Sequence, residues 1–318
     1  MEIRTATIED LPAMVDLMRR SLGEALMPKS ETFFRWKHID NPFGSSKMIV
    51  AVDQGKIIGL RTFMRWQWVR GEERISAVRA VDTATDPAYH GKGIFTKLTM
   101  QAVTECTEEG VGLVFNSPNS SSMPGYVKMG WYANGKMPLL IAPGSLFPRL
   151  YREKKVNELY SSFDLGNALK SLKHDWQIKP GNIDFQTAID LTYLNWRYKD
   201  CPVATYGAII EPGAFGMIFR LKKINRFLEL RICDWWLEDA TVFKQASSAY
   251  RKLIKKIRPV MVSCAPIHEK GNREKFKGMM GPFKKGPIIT LRTLALQKLP
   301  DFNHFHHWKP SIGSMELF

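Results

Sequence analysis

Between Asp82 and Leu98 the chain reads DTATDPAYHGKGIFTKL, a set of residues whose types and order can hold a phosphate. Upstream, Ile75, Ala77, Arg79, Val81, Thr83 and Thr85 alternate with the period of a strand, which must end at Pro87 because proline has no N–H for the ladder. Downstream, Ile94, Leu98, Ala102 and Val103 recur at helical spacing through Cys106. Gly91 and Gly93 flank Lys92 in between. A strand, a tight basic turn and a helix leave the first helical amides unpaired and aimed at one spot, with the positive end of the helix dipole behind them. Glycine has no Cβ to hold the backbone away from an anion there, and His90 and Lys92 add donors at the rim.

Asp82 to Leu98 resembles motif A of the GCN5-related N-acetyltransferases (GNAT): Arg or Gln, two residues, Gly, one residue, then Gly or Ala, after a strand and a proline. Here His90 stands at the first position, Gly93 at the second and Phe95 at the third. The run Val114–Asn119 followed by Gly125–Trp131 is similar to the family's motif B: strand, Asn, helix, Tyr, then Gly and an aromatic. The resemblance implies acetyl-CoA as cosubstrate, with its pyrophosphate on His90, Gly91, Lys92, Gly93, Ile94 and Phe95. It implies a central strand splayed from the strand Gly112–Ser117, so that backbone at Thr83, Ala84 and Thr85 bonds the acyl carbonyl and the pantetheine arm, with Asn119 at the mouth. It also places Tyr126 where the family protonates the departing thiolate, a role worth about 10² to 10⁴-fold. Plain packing beside Met129 and Trp131 is the alternative for that tyrosine. The amine nucleophile comes from the substrate, and Asp82 is the candidate that takes its proton, directly or through water. Orienting backbone or binding substrate is the alternative for Asp82, while Asp86 reads as the start of the turn.

The elements that must position these residues follow from local pattern. Glu2–Thr7 reads as a strand, and Thr7 with Asp10 forms a variant capping box before the apolar stripe Leu11, Met14, Val15, Leu17 and Met18. Ser30–Ile39 reads as a second helix that stops before the turn sequence Asn41-Pro42-Phe43-Gly44. Met48–Val52, Lys56–Phe63 and Gln67–Arg70 read as strands of a meander leading into the central one. The expected fold class is α/β (α+β), a mixed, mostly antiparallel sheet flanked by helices.

The 318 residues exceed one such domain, and the break at Ala142-Pro143-Gly144-Ser145 predicts two: 1–144 carrying the acetyl-CoA site and 145–318, opening on a basic helical stretch from Leu146 to Leu172. The second half repeats the first. Trp36-Lys37-His38-Ile39-Asp40-Asn41-Pro42 matches Trp196-Arg197-Tyr198-Lys199-Asp200-Cys201-Pro202, and Val78-Arg79-Ala80-Val81-Asp82 matches Leu230-Arg231-Ile232-Cys233-Asp234. No glycine turn follows Asp234; Trp235 and Trp236 stand where a phosphate would rest, and the Tyr126 position falls on Phe276 or Lys277. The second copy is therefore expected to be degenerate and to bind no CoA.

Composition bounds the function. A 44% hydrophobic and 24% charged chain is globular, and neither an export signal nor an apolar run of about 20 residues is present, so a cytoplasmic protein without a membrane span is expected. Four scattered cysteines suggest neither zinc nor disulfides, and the histidines of the tail 303–308 lack ligand-spaced partners, so no metal is expected. The net charge of +15 would attract a polyanion, yet no recognisable nucleic-acid module accompanies it. The leading reading is an acyl-CoA-dependent N-acyltransferase acting on a small-molecule amine, an aminosugar among others. The alternatives are an aminoacyl transferase of the tandem, peptidoglycan-extending type and a non-catalytic CoA-binding protein.

Overall fold

The computed structural model describes residues 1–23, 28–182, 184–266, 275–296 and 307–315. Two sheets organise the chain, each centred in its own compact unit. The first unit holds residues 1–68 and 73–135 and takes in the stretch from Ile288; the second holds 69–72, 136–287 and the C-terminal stretch.

In the first unit the strands are β1 (Glu2–Thr5), β2 (Lys47–Asp53), β3 (Lys56–Arg70), β4 (Glu73–Thr85), β5 (Leu113–Asn116) and β6 (Tyr132–Lys136), joined by β14 (Ile288–Thr293) in the order β1-β2-β3-β4-β5-β14-β6. β4 and β5 pair in parallel, whereas β1 with β2, β2 with β3 and β14 with β5 pair antiparallel. The stretch read as two strands is one 15-residue strand, β3, since Met64-Arg65-Trp66 contains nothing that breaks a ladder. Helices α1 (Leu11–Leu22) and α2 (Glu31–His38) bury Leu11, Met14, Leu17 and Phe34 with Val50 and Leu60 on one face. Helices α3 (Ile94–Glu108) and α4 (Met123–Lys128) bury Ile94, Leu98, Ala102 and Tyr126 with Phe63 and Val78 on the other. The start of α1 is fixed as its sequence implies: the Asp10 carboxylate accepts the Thr7 amide at 2.8 Å and pairs with Arg4 at 2.6 Å, which lowers its pKa to about 2.

The second unit has β7 (Leu139–Pro143), β8 (Phe185–Thr187), β9 (Gly207–Glu211), β10 (Phe215–Ile224), β11 (Phe227–Leu237), β12 (Met261–Cys264), β13 (Met280–Phe283) and β15 (Trp308–Lys309). Its main sheet runs β13-β7-β12-β11-β10-β9, with β11 and β12 parallel, and β15 pairs with β8. Helices α5 (Glu153–Ser162), α6 (Leu165–Lys170), α7 (Leu191–Leu194), α8 (Phe243–Ile257) and α9 (Ile312–Met315) complete it. Val156, Tyr250 and Leu253 pack with Leu228, Leu230 and Val262 in its core.

Two expectations are corrected here. The stretch from Leu146 is helical only from Glu153, because Pro148 removes a helix donor and residues 144–152 bond instead to the segment that follows α8. The division at 144/145 is also displaced: β7 lies between β12 and β13 in the second sheet, and β14 lies between β5 and β6 in the first. The two halves thus exchange equivalent strands, and each sheet reads in the same topological order.

Candidate active site

The strand period read along β4 holds only as far as Asp82. Val78 and Ala80 belong to the core under α3, while Ala84, which strict alternation would put on the same face, belongs to the core under α1. The inversion comes from Asp82, whose φ of +39° lies in the left-handed region that non-glycine residues rarely enter. The kink is held from β3, where the Thr62 hydroxyl donates to the Val81 carbonyl at 2.7 Å and Thr83 Oγ1 donates to the Leu60 carbonyl at 3.2 Å. Parallel pairing with β5 runs from Ala77–Leu113 to Arg79–Phe115, and β4 then continues through Thr85. Ala80 to Thr85, including Thr83, Ala84 and Thr85, therefore extend past the last residue paired with β5, and this gap leads straight to the glycine turn.

The turn is braced at its base. Asp86 caps it by accepting the Ala88 amide at 3.1 Å, and Lys56 and Arg20 reach its carboxylate at 2.9 and 2.7 Å, which holds its pKa well below the usual carboxylate range. Tyr89 donates to Asp53 at 2.8 Å. His90 leans back onto the Thr85 carbonyl, its Nε2 at 3.1 Å, and Lys92 lies with Nζ 4.3 Å from the Tyr89 ring centre. Gly91 and Gly93 have φ of +79° and +72°, and a Cβ at either would meet nothing within 4 Å. The glycines thus face open space ahead of α3, whose first intrahelical bond is Lys97 N–H to Gly93 carbonyl at 3.0 Å. The amides of Ile94 and Phe95 precede that bond, as a diphosphate cradle requires. The bulk of Phe95 turns inward: its ring meets Tyr126 edge-on at 5.5 Å, and Gly125 leaves room for it. Open glycines, helix-terminal amides ahead of the first intrahelical bond and a stretch of β4 beyond its pairing with β5 fit the phosphates and the extended arm of CoA.

Around Asp82 the chain builds a charged cluster that local pattern did not reveal. Lys37 Nζ and His38 Nε2, both from α2, reach Asp82 Oδ2 at 2.7 and 2.8 Å, and His38 Nδ1 is 2.9 Å from Ser46 Oγ. Burial by itself would raise the pKa of Asp82, but the Lys37 ammonium and His38 outweigh it and hold the carboxylate far below its ordinary value. Burial and Lys37 keep the imidazole of His38 neutral against the pull of Asp82. Its Nε2–H therefore donates to Asp82 and its Nδ1 accepts from Ser46. A carboxylate held so low is a weak proton acceptor, although its Oδ1 is left without a hydrogen bond among the described residues. The sequence signal for this cluster was the repeat itself: the two matched segments, Trp36–Pro42 and Val78–Asp82, are the ones that meet.

Arg61 is a second residue that was missed. Its side chain is fully buried on β3 and donates from Nη2 to Tyr126 Oη at 2.7 Å, while Nε and Nη1 have no hydrogen-bond partner among the described residues. Phe63, Phe95 and Tyr126 surround the guanidinium, with ring centres 5.0 to 5.6 Å away. Tyr126 itself is 3% exposed and packs on Trp131, so it is at once a core residue and a phenol whose oxygen already accepts one bond. Its O–H proton remains available to an acceptor. Asn119 is exposed and turns its carboxamide oxygen onto the amide and hydroxyl of Ser122, both at 2.9 Å, where it opens the turn into α4. Asn116 at the end of β5 is buried, with its side-chain oxygen bonded by the Thr290 hydroxyl of β14.

In the second unit the equivalent constellation survives with different chemistry. Tyr198 donates to Asp234, and Arg197 turns to the Gly313 carbonyl at 3.0 Å and to Tyr206 Oη at 3.0 Å. Burial raises the pKa of Asp234 against the hydrogen bonds of Ser311 and Tyr198 and the charges of Arg197 and Lys309, the opposite of Asp82. Beyond the last β11–β12 pair, Ile232–Cys264, the Trp235 indole donates to the Ala265 carbonyl at 3.2 Å across the place where a split would open. Among the described residues no group of His, Cys, Asp and Glu is arranged to hold a metal, and His304 and His306 lie outside them.

Residues 2–133 match the family model described as Acetyltransferase (GNAT) domain. No curated protein matches the chain. Among solved structures, a probable N-acyltransferase from Enterococcus faecalis V583 superposes with a TM-score of 0.65 at 12% identity, over 93% of this chain and 73% of that one. A GCN5-related N-acetyltransferase from Anabaena variabilis ATCC 29413 gives 0.59 at 13% identity over 92% and 72%, and Eis1 from Mycobacterium abscessus 0.56 at 11% over 93% and 75%. At these identities the likeness is one of fold, and it extends over both units of the chain.

Proposed function

We propose that the first unit transfers an acyl group, acetyl by default, from a CoA thioester to the amine of a small molecule, of which an aminosugar is one candidate. The observation that carries this reading is the continuity of the left-handed kink at Asp82, the stretch through Thr85 that has left its pairing with β5 and the open Gly91–Gly93 turn on one strand-to-helix connection. In this reading the amides from Gly91 to Phe95, with Lys92, bind the diphosphate, and backbone at Thr83, Ala84 and Thr85 pairs with the pantetheine as a substitute strand. Tyr126 holds a proton at Oη for a departing sulfur, oriented by Arg61, and Asp82 acts more through the cluster it anchors than as a strong base. The nitrogen of Asn119 is left to meet the ligand at the mouth.

Binding of CoA without turnover is the second reading, supported by the burial of Tyr126 and the ion pairing of Asp82. Thermal shift with CoA and with acetyl-CoA, followed by thiol release over a panel of amines, tests both, because a ligand of the native state raises its apparent stability in proportion to ln(1 + [L]/Kd). Gly93→Ala keeps the fold at a strain of about 1–2 kcal/mol for the left-handed residue and weakens CoA by about tenfold or more. An unshifted Tm with CoA for the unmodified protein would overturn both readings. Stabilisation without thiol release for any amine would leave the second.

A further inference from the structure

Leu146 and Phe147 are 94% and 74% exposed, and Leu150, close by, is 45% exposed. They project from residues 144–152, the connection between β7 and α5, whose backbone is tied down at both ends. The amides of Gly144, Ser145 and Arg149 donate to the carbonyls of Val260, Pro259 and Arg258 at 3.0, 2.7 and 2.7 Å. The Arg149 guanidinium caps the C-terminus of α8 through the carbonyls of Lys256 and Ile257 at 3.1 and 3.2 Å, and Arg258 Nε returns to the Phe147 carbonyl at 2.8 Å. A connection this well bonded does not leave two large apolar side chains in water for want of order.

The surroundings state what would cover them. The Tyr151 amide bonds the Arg226 carbonyl at 2.8 Å, so that segments 144–152, 223–227 and 251–258 converge here. Together they carry nine Lys and Arg and no Asp or Glu. Within α8 and its cap, Arg251, Lys252, Lys255, Lys256 and Arg258 are all exposed. Apolar tips beside a cluster of exposed cations complement an anionic bilayer, whose acyl region takes the former and whose headgroups take the latter. A second copy docking face to face would set these cations against themselves, and a nucleic acid offers phosphates but no apolar receptor for an exposed leucine.

We propose that Leu146 and Phe147 are a peripheral docking wedge for a lipid surface bearing negative headgroups. No helix among the described residues is long and apolar enough to cross a membrane, so attachment through this wedge is reversible.

Co-sedimentation of the full chain with vesicles of pure phosphatidylcholine and of equimolar phosphatidylcholine and phosphatidylglycerol tests the proposal. Binding is expected to the second kind only and to weaken as salt is raised. Leu146→Ser/Phe147→Ser should keep the Tm, since both side chains are exposed, and bind about tenfold or more weakly. Phe147→Trp should show a blue-shifted emission quenched by brominated acyl chains. Absence of binding to anionic vesicles, or binding that the double serine variant leaves intact, overturns the proposal. So does vesicle binding abolished by a short RNA competitor while the indole emission of Phe147→Trp stays that of a water-exposed ring, or a self-association lost in the double variant with no vesicle binding.

Discussion

Lys37→Met is the most direct probe of the cluster that sets the kink in β4. Lys37 is 2% exposed and lies 2.7 Å from a carboxylate whose side chain is 16% exposed. Deleting one partner of a buried ion pair costs about 3–5 kcal/mol because the remaining charge loses its compensation. His38 stays in contact with Asp82, so the lower end, about 3 kcal/mol, is expected, equivalent to about 6–12 °C in Tm for a unit of this size. The pH dependence carries a sign. In the unmodified protein the depressed Asp82 contributes stability that is present above the unfolded carboxylate pKa and lost only as pH falls through the folded value. Burial holds the folded pKa of His38 below its unfolded value of about 6.5, and Lys37 adds to that lowering. The stability this carries is present above about pH 6.5 and is lost as pH falls below it; Lys37→Met lessens the lowering and so the acid-side loss, and the deficit of the variant shrinks from pH 8 to pH 6 by less than about 1 kcal/mol. Urea unfolding at both pH values, with Asp82→Asn and the double variant, completes a cycle whose coupling should exceed about 1 kcal/mol. A loss below about 1 kcal/mol at pH 8, or additive single variants, would refute the reasoning.

Three further outcomes are expected. Tyr126→Phe and Arg61→Met should each lower kcat by a similar factor, about 10² or more, with little change in KM for acetyl-CoA and no further loss when combined; full turnover in Tyr126→Phe would remove the phenol from the mechanism. Gly313→Ala would drive a Cβ against Tyr198 Oη and Asp234 Oδ2, so a loss of about 1–3 kcal/mol is expected, and an unchanged Tm would contradict the close approach of α9. Asp10, held near 2 by Arg4, contributes stability above about pH 4 that fades as pH falls through 2. The pair is partly exposed, so Asp10→Asn should flatten the acid limb of a stability profile by no more than about 1 kcal/mol.

Local pattern was enough for whatever depends on neighbours in the chain. The strand, glycine turn and helix from β4 to α3 can be read from residue period and the special conformations of Gly91 and Gly93, and so can the Thr7–Asp10 cap, since each is decided within a few residues. The duplication was legible as two matched segments, and with it the loss of the glycine turn after Asp234. Tertiary structure alone decided which sheet receives β7 and which receives β14, because short apolar strands fit either sheet and their partners, β12 and β5, lie more than a hundred residues away along the chain. It also decided that Asp82 leaves the β alternation to meet Lys37 and His38, and that Arg61 is buried against Tyr126. A strand's period states which face a side chain should take; only the long-range partners that compensate a buried charge determine whether it does so.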